Sequence, residues 1–135
     1  MTLALQAFAS GETPARALAE KIGASFGLVR SHGFPDGELL PTVPQPGRTT
    51  IVYLSLDRPN DKLVELVLAA EAWRRLGARR LILVAPYLAY MRQDVAFAEG
   101  QAISQRAVAR LLDRTFDQVV TVNADFVKNG LRDPE

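Results

Sequence analysis

Apolar runs and helical periodicities alternate along the chain, and their order predicts an α/β domain. Residues 3–8 form a short apolar run with the length of a buried strand. Thr13-Pro14 then opens a helix: the threonine stands in a capping position, and a proline in the first turn sacrifices no hydrogen bond. Ala15, Leu18, Ala19 and Ile22 recur at helical spacing, and Gly23 ends the segment. Residues 26–30 read as a second strand, 31–38 as a loop and 39–43 as extended chain, before Pro44, Pro46 and Gly47 mark a turn.

The second half is patterned more cleanly. Residues 50–56 predict a buried strand, and Asn60-Asp61 caps a helix reaching Leu76. Leu63, Val67, Ala70 and Trp73 make its inward face, and Gly77 is its left-handed stop. Residues 81–85 are continuously apolar, as in a strand covered on both faces. An irregular stretch over 86–100 leads to a third helix over 103–114, and 119–122 reads as another buried strand. This alternation means βαβ units: a three-layer α/β domain with a mostly parallel sheet, spanning residues 1–135 as one unit. Ligands of such sheets sit beyond the carboxyl ends of the strands. Residues 57–61, 86–100 and 123 onward are therefore the places to look for function.

Composition excludes several functions. With 48% hydrophobic and 23% charged residues, the chain has the makeup of a folded protein rather than a disordered one. Sixteen Lys and Arg against 15 Asp and Glu provide no electrostatic footprint for nucleic acid or an anionic membrane. The absence of cysteine removes disulfide and thiolate chemistry and fits a reducing cytoplasm. No apolar run nears the roughly 18–20 residues of a membrane span, and the first ten residues lack the basic start of a signal peptide. A soluble cytoplasmic protein is expected.

The polar residues that could carry chemistry fall largely in the segments after strands. Pro86-Tyr87-Leu88-Ala89-Tyr90-Met91-Arg92-Gln93-Asp94 is the densest. Arg92 offers a planar fork for phosphate oxygens, and Gln93 both donates and accepts; the competing reading is a solvated turn in which Arg92 pairs with Asp94. Phe34-Pro35-Asp36-Gly37-Glu38 sets a ring beside two carboxylates, suited to stacking on a base and accepting from its amine. Pro-Asp-Gly also makes a turn unaided, and on residue chemistry alone that reading leads. Asn60-Asp61, after Arg58-Pro59, is a helix cap first and a phosphate contact second. His32, the single histidine, is expected on a loop surface. The chain has no Walker A, GxGxxG or GxSxG sequence.

Taken in order, Phe34 to Glu38, Asn60-Asp61-Lys62-Leu63-Val64-Glu65-Leu66, Pro86 to Asp94 and Gly100-Gln101-Ala102-Ile103-Ser104 resemble ribose-phosphate pyrophosphokinases over residues 8–122. That family transfers the β,γ-diphosphoryl group of Mg-ATP to the C1 hydroxyl of ribose 5-phosphate, leaving AMP. Its subunits hold two similar phosphoribosyltransferase-like domains and oligomerise. The resemblance implies that Arg92, Gln93 and Asp94 line the ATP site, and that Phe34, Asp36 and Glu38 reach the adenine of a neighbouring subunit's ATP. It implies Mg²⁺ as cofactor and a homo-oligomer as the working state.

The chain departs from the family's pattern at three places. Val95 stands where a basic residue is usual. Thr121-Val122-Asn123-Ala124-Asp125 replaces a Thr-Val-Asp-x-His pattern whose histidine helps hold metal, which leaves Asp125 as the candidate oxygen ligand. The ribose-5-phosphate loop and the second domain that carries it are not found in these 135 residues. The expectation is an ATP-side half that does not turn over alone; the alternative is a non-catalytic partner of a full-length synthetase.

Overall fold

The computed structural model describes residues 2–121. Five parallel strands form one sheet: β1 (Leu3–Ala7), β2 (Ser25–Leu28), β5 (Thr49–Tyr53), β6 (Arg80–Val84) and β7 (Gln118–Val120). They lie in the order β2-β1-β5-β6-β7. Helix α1 (Glu12–Ile22) links β1 to β2, α2 (Pro59–Arg75) links β5 to β6, and α3 (Ser104–Thr115) links β6 to β7. The mostly parallel α/β sheet expected from the sequence is present. Register is continuous across the sheet: Leu5 is opposite both Phe26 and Ile51, and Ile51 is opposite Ile82.

Because side chains alternate across a strand, this register sorts the core into two faces. Val52, Leu81 and Leu83 point to one side, where they join Leu63, Leu66 and Trp73 of α2 and Leu112 of α3 in the main cluster. Leu5 and Ala7 point to the other, against Ala15 and Ala19 of α1. Trp73 and Gln6 are fully buried, so their polar atoms need partners. The indole Nε1–H donates to Gln6 Oε1 at 2.7 Å. The Gln6 amide donates in turn to the carbonyls of Pro44 and Gln45, pinning the turn before β5 to the core.

Several local expectations are revised. Residues 31–38 are not all loop: β3 (Arg30–Gly33) pairs antiparallel with β4 (Leu39–Thr42) in a separate two-stranded hairpin. All four residues of β3 are exposed, so no apolar alternation marked the strand. Helix α1 begins at Glu12 with Gly11 as its N-cap, and Thr13 already lies inside the first turn. Helix α2 begins at Pro59; Asn60 and Asp61 lie within its first turn, and its N-cap is Arg58. Its buried residues are Leu63, Leu66, Ala69, Ala70 and Trp73, whereas Val67 is 39% exposed and faces outward. Gly23 and Gly77 do take the left-handed conformation that ends their helices, at φ 72° and 112°.

Candidate functional site

A cavity of about 410 Å³ opens at the carboxyl ends of β5 and β6, one strand beyond the point between β1 and β5 where the chain reverses its winding. Two arms wall it. The first, from Leu56 through Arg58 to Asn60, leads into α2; the second, from Tyr87 to Gln93, follows β6. Thus two of the three segments singled out in the sequence are brought together. The third begins at residue 123 and, with Asp125, lies outside the described residues.

The arms are joined by hydrogen bonds that the sequence did not reveal. Leu56 N–H donates to Tyr87 O at 2.9 Å, continuing the β5–β6 pairing past the strands. The Tyr90 hydroxyl donates to Asn60 Oδ1. From behind, Gln105 in the first turn of α3 grips the second arm twice. Its backbone N–H donates to Gln93 O at 3.0 Å, and its Nε2 donates to Met91 O at 3.0 Å. A polar residue at the head of an amphipathic helix reads as a solvated position, so nothing in the sequence marks Gln105. It is in fact 8% exposed.

Electrostatically the cavity is cationic. Arg58 and Arg92 both line it, and neither forms an ion pair within the described residues. The turn reading, in which Arg92 is neutralised by Asp94, is therefore not the arrangement observed. Lys62, by contrast, is occupied: its Nζ donates to Ser55 O at 2.9 Å and to Asp57 Oδ1 at 3.1 Å. Hydrogen bonding and attraction from Lys62 hold the Asp57 carboxyl below its ordinary value, so the pair stays ionised and mutually satisfied. Arg58, Arg92 and Gln93 thus line the cavity with the residue types that meet a polyphosphate. Asp94 is exposed and does not line the cavity.

Phe34, Asp36 and Glu38 lie elsewhere, on the tip of the β3–β4 hairpin. Phe34 N–H donates to Glu38 O at 2.8 Å, and Asp36 Oδ1 accepts from Glu38 N–H at 3.1 Å. Gly37, at φ 97°, supplies the backbone that the turn needs. Phe34 is 40% exposed and meets His32 edge-on with ring centroids 4.6 Å apart. His32 is exposed, as expected, although on a strand rather than a loop. The hairpin residues and the cavity residues thus form two separate surfaces of one chain.

Among the described residues no group of three or more His, Cys, Asp or Glu side chains could hold a metal ion. The described residues thus offer no all-protein cage for Mg²⁺ at the cavity. An ion that arrives on nucleotide phosphates keeps much of its shell as water and needs no protein cage. Nor is any helix long and apolar enough to cross a membrane among these residues.

The sequence model of the N-terminal domain of ribose phosphate pyrophosphokinase matches residues 3–115. The chain belongs to the ribose-phosphate pyrophosphokinase family. It is 41% identical over 116 residues to the ribose-phosphate pyrophosphokinase of Halobacterium salinarum, covering 84% of this chain and 41% of that protein. The corresponding protein of Methanopyrus kandleri is 39% identical over 110 residues, or 80% of this chain and 38% of the relative. Among solved structures, phosphoribosylpyrophosphate synthetase from Mycobacterium smegmatis superposes with a TM-score of 0.78 at 26% identity, over 91% of this chain and 43% of that one. The chain spans about two fifths of the length of these family members.

Proposed function

We propose that this chain is the ATP-side half of a ribose-phosphate diphosphokinase, the β and γ phosphates lying in the cavity between Arg58 and Arg92. The observation that carries this reading is that Arg58 and Arg92, without ion-pair partners among the described residues, and Gln93 line one cavity, in a chain of this family. Transfer of a diphosphoryl group from Mg-ATP to the C1 hydroxyl of ribose 5-phosphate develops charge on phosphate oxygens. In this chemistry a protein contributes mainly position and charge stabilisation. Arg92 suits that role through its planar fork, and Arg58 adds a second cation across the cavity.

Asp94 stands beside this set as a part of the nucleotide site. Phe34, Asp36 and Glu38 serve the adenine of a neighbouring copy, which is consistent with their place on a protruding hairpin away from the chain's own cavity. Mg²⁺ enters with the nucleotide, and Asp125 is its proposed protein contact. Residues 1–135 by themselves bind nucleotide without turnover, because the ribose-5-phosphate loop is not among them.

Isothermal titration with Mg-ATP tests the reading. The expected outcome is measurable binding that Arg92→Ala weakens by about tenfold or more, the loss of one charge-assisted contact. Absence of heat at millimolar nucleotide, or equal affinity in Arg92→Ala, overturns it.

A further inference from the structure

Tyr90 and Arg58 are the two described residues other than glycine with positive φ, at 65° and 50°. Side chains disfavour this backbone region, and such conformations persist where the surroundings hold them. Both residues line the same cavity, one on each arm. The Tyr90 hydroxyl bonds to the Asn60 side chain, and this is the one side-chain-to-side-chain hydrogen bond between the arms among the described residues. Asn60 stands two residues after Arg58, and Tyr90 two residues before Arg92. The bond thus ties together the two arms that carry the arginines.

We propose that the Tyr90–Asn60 pair is a positioning latch that sets the separation of Arg58 and Arg92, so that both engage one polyphosphate at once. The proposal rests on the nucleotide reading of the cavity. The latch acts through the arginines: the hydroxyl of Tyr90 is already committed to Asn60. Buried packing does not depend on it, since Leu88 and Ala89 anchor the second arm in the core and Gln105 holds the backbone on either side of Arg92. What the bond adds is the relation between the arms. A ligand that bridges both arginines feels that relation, whereas a ligand that meets one of them does not.

This difference supplies the test. Tyr90→Phe and Asn60→Ala are compared with the parent chain and with the double variant by titration with Mg-ATP, Mg-tripolyphosphate and AMP. Amide exchange over residues 88–93 is followed in parallel. Each single variant is expected to weaken ATP and tripolyphosphate by roughly tenfold, as for one misplaced charge-assisted contact. The double variant is expected to lose no more than either single one, because both delete the same bond. AMP affinity and the melting temperature stay unchanged, while exchange over 88–93 rises. Equal losses for AMP and ATP would indicate general damage and overturn the proposal, as would unchanged polyphosphate affinity. Unchanged exchange shows that there is no latch, even where the nucleotide reading stands. A parent chain that binds neither ATP nor tripolyphosphate removes the nucleotide reading itself, and the polyphosphate role of the latch with it.

Discussion

At the residue scale, two of the three buried polar residues described, Gln6 and Gln105, tie one segment to another, while Thr50 bonds locally to Gly47. Gln6 accepts from Trp73 and donates to two carbonyls, and every described buried side-chain polar atom finds a partner. Gln105 follows the same rule next to the site. Its amide is a partner for the Met91 carbonyl, so Gln105→Ala strands that carbonyl beneath the Arg92 arm. The expected cost is roughly 1–3 kcal/mol of stability, the range for a buried polar group left unpaired, measured as a lowered urea midpoint at constant slope. Nucleotide affinity should fall as well, because the arm loses one of its two ties to α3. A variant as stable as the parent would show that water replaces the amide without loss.

At the element scale, Asp117 couples the turn between α3 and β7 to the start of β6. Its Oδ2 accepts from Leu81 N–H at 2.8 Å and from Arg74 at 3.3 Å. The Leu81 backbone bond, foremost, and then the charge of Arg74 lower its pKa below the ordinary value of 3.8. A carboxyl lowered on folding stabilises the protein above its unfolded pKa, and that contribution fades as pH falls through the folded value. Acidification below about pH 4 should therefore destabilise the parent progressively. Asp117→Asn should be less stable at neutral pH and show a shallower loss in acid, read from melting temperatures across pH 2–7; identical profiles would exclude the coupling. Elements with apolar periodicity, such as α2 and β6, were legible in the sequence to within a few residues. The β3–β4 hairpin was not, because a strand exposed along its whole length carries no alternation. The site divided in the same way. Arg92 and Gln93 announced themselves by residue type after a strand. Arg58 was read as part of a helix start and Gln105 was passed over, since cavity lining and burial are tertiary facts. At the start of α2, Asn60 lies inside the helix, and its side chain accepts from Tyr90 rather than capping.

At the scale of the whole molecule, the described helices cover one face of the sheet only in part. Helix α1 packs on β1 and β2, while α2 and α3 share the opposite face. By register, Ile82, Val84 and Val120 share the α1 side of β6 and β7. There Ile82 and Val84 are half-buried and Val120 is 40% exposed, with none of the three described helices packed over them. Contiguous apolar surface of this kind marks an interaction site more often than a solvated one. A second copy of the chain offers a matching cover, because the face of one copy is the apolar complement of the same face on another. Association that increases with concentration is therefore expected in sedimentation equilibrium. Val84→Lys should shift it toward monomer, since a cation on that face costs most when a partner excludes its water. Because Val84 is only half-buried, the lysine can reach solvent in the separated chain, and the melting temperature at low concentration should change little. A parent chain that stays monomeric at all concentrations would show that this face does not drive association. Val84→Lys that unfolds the monomer would instead place the residue in the core, and the surface would have to be probed at Val120.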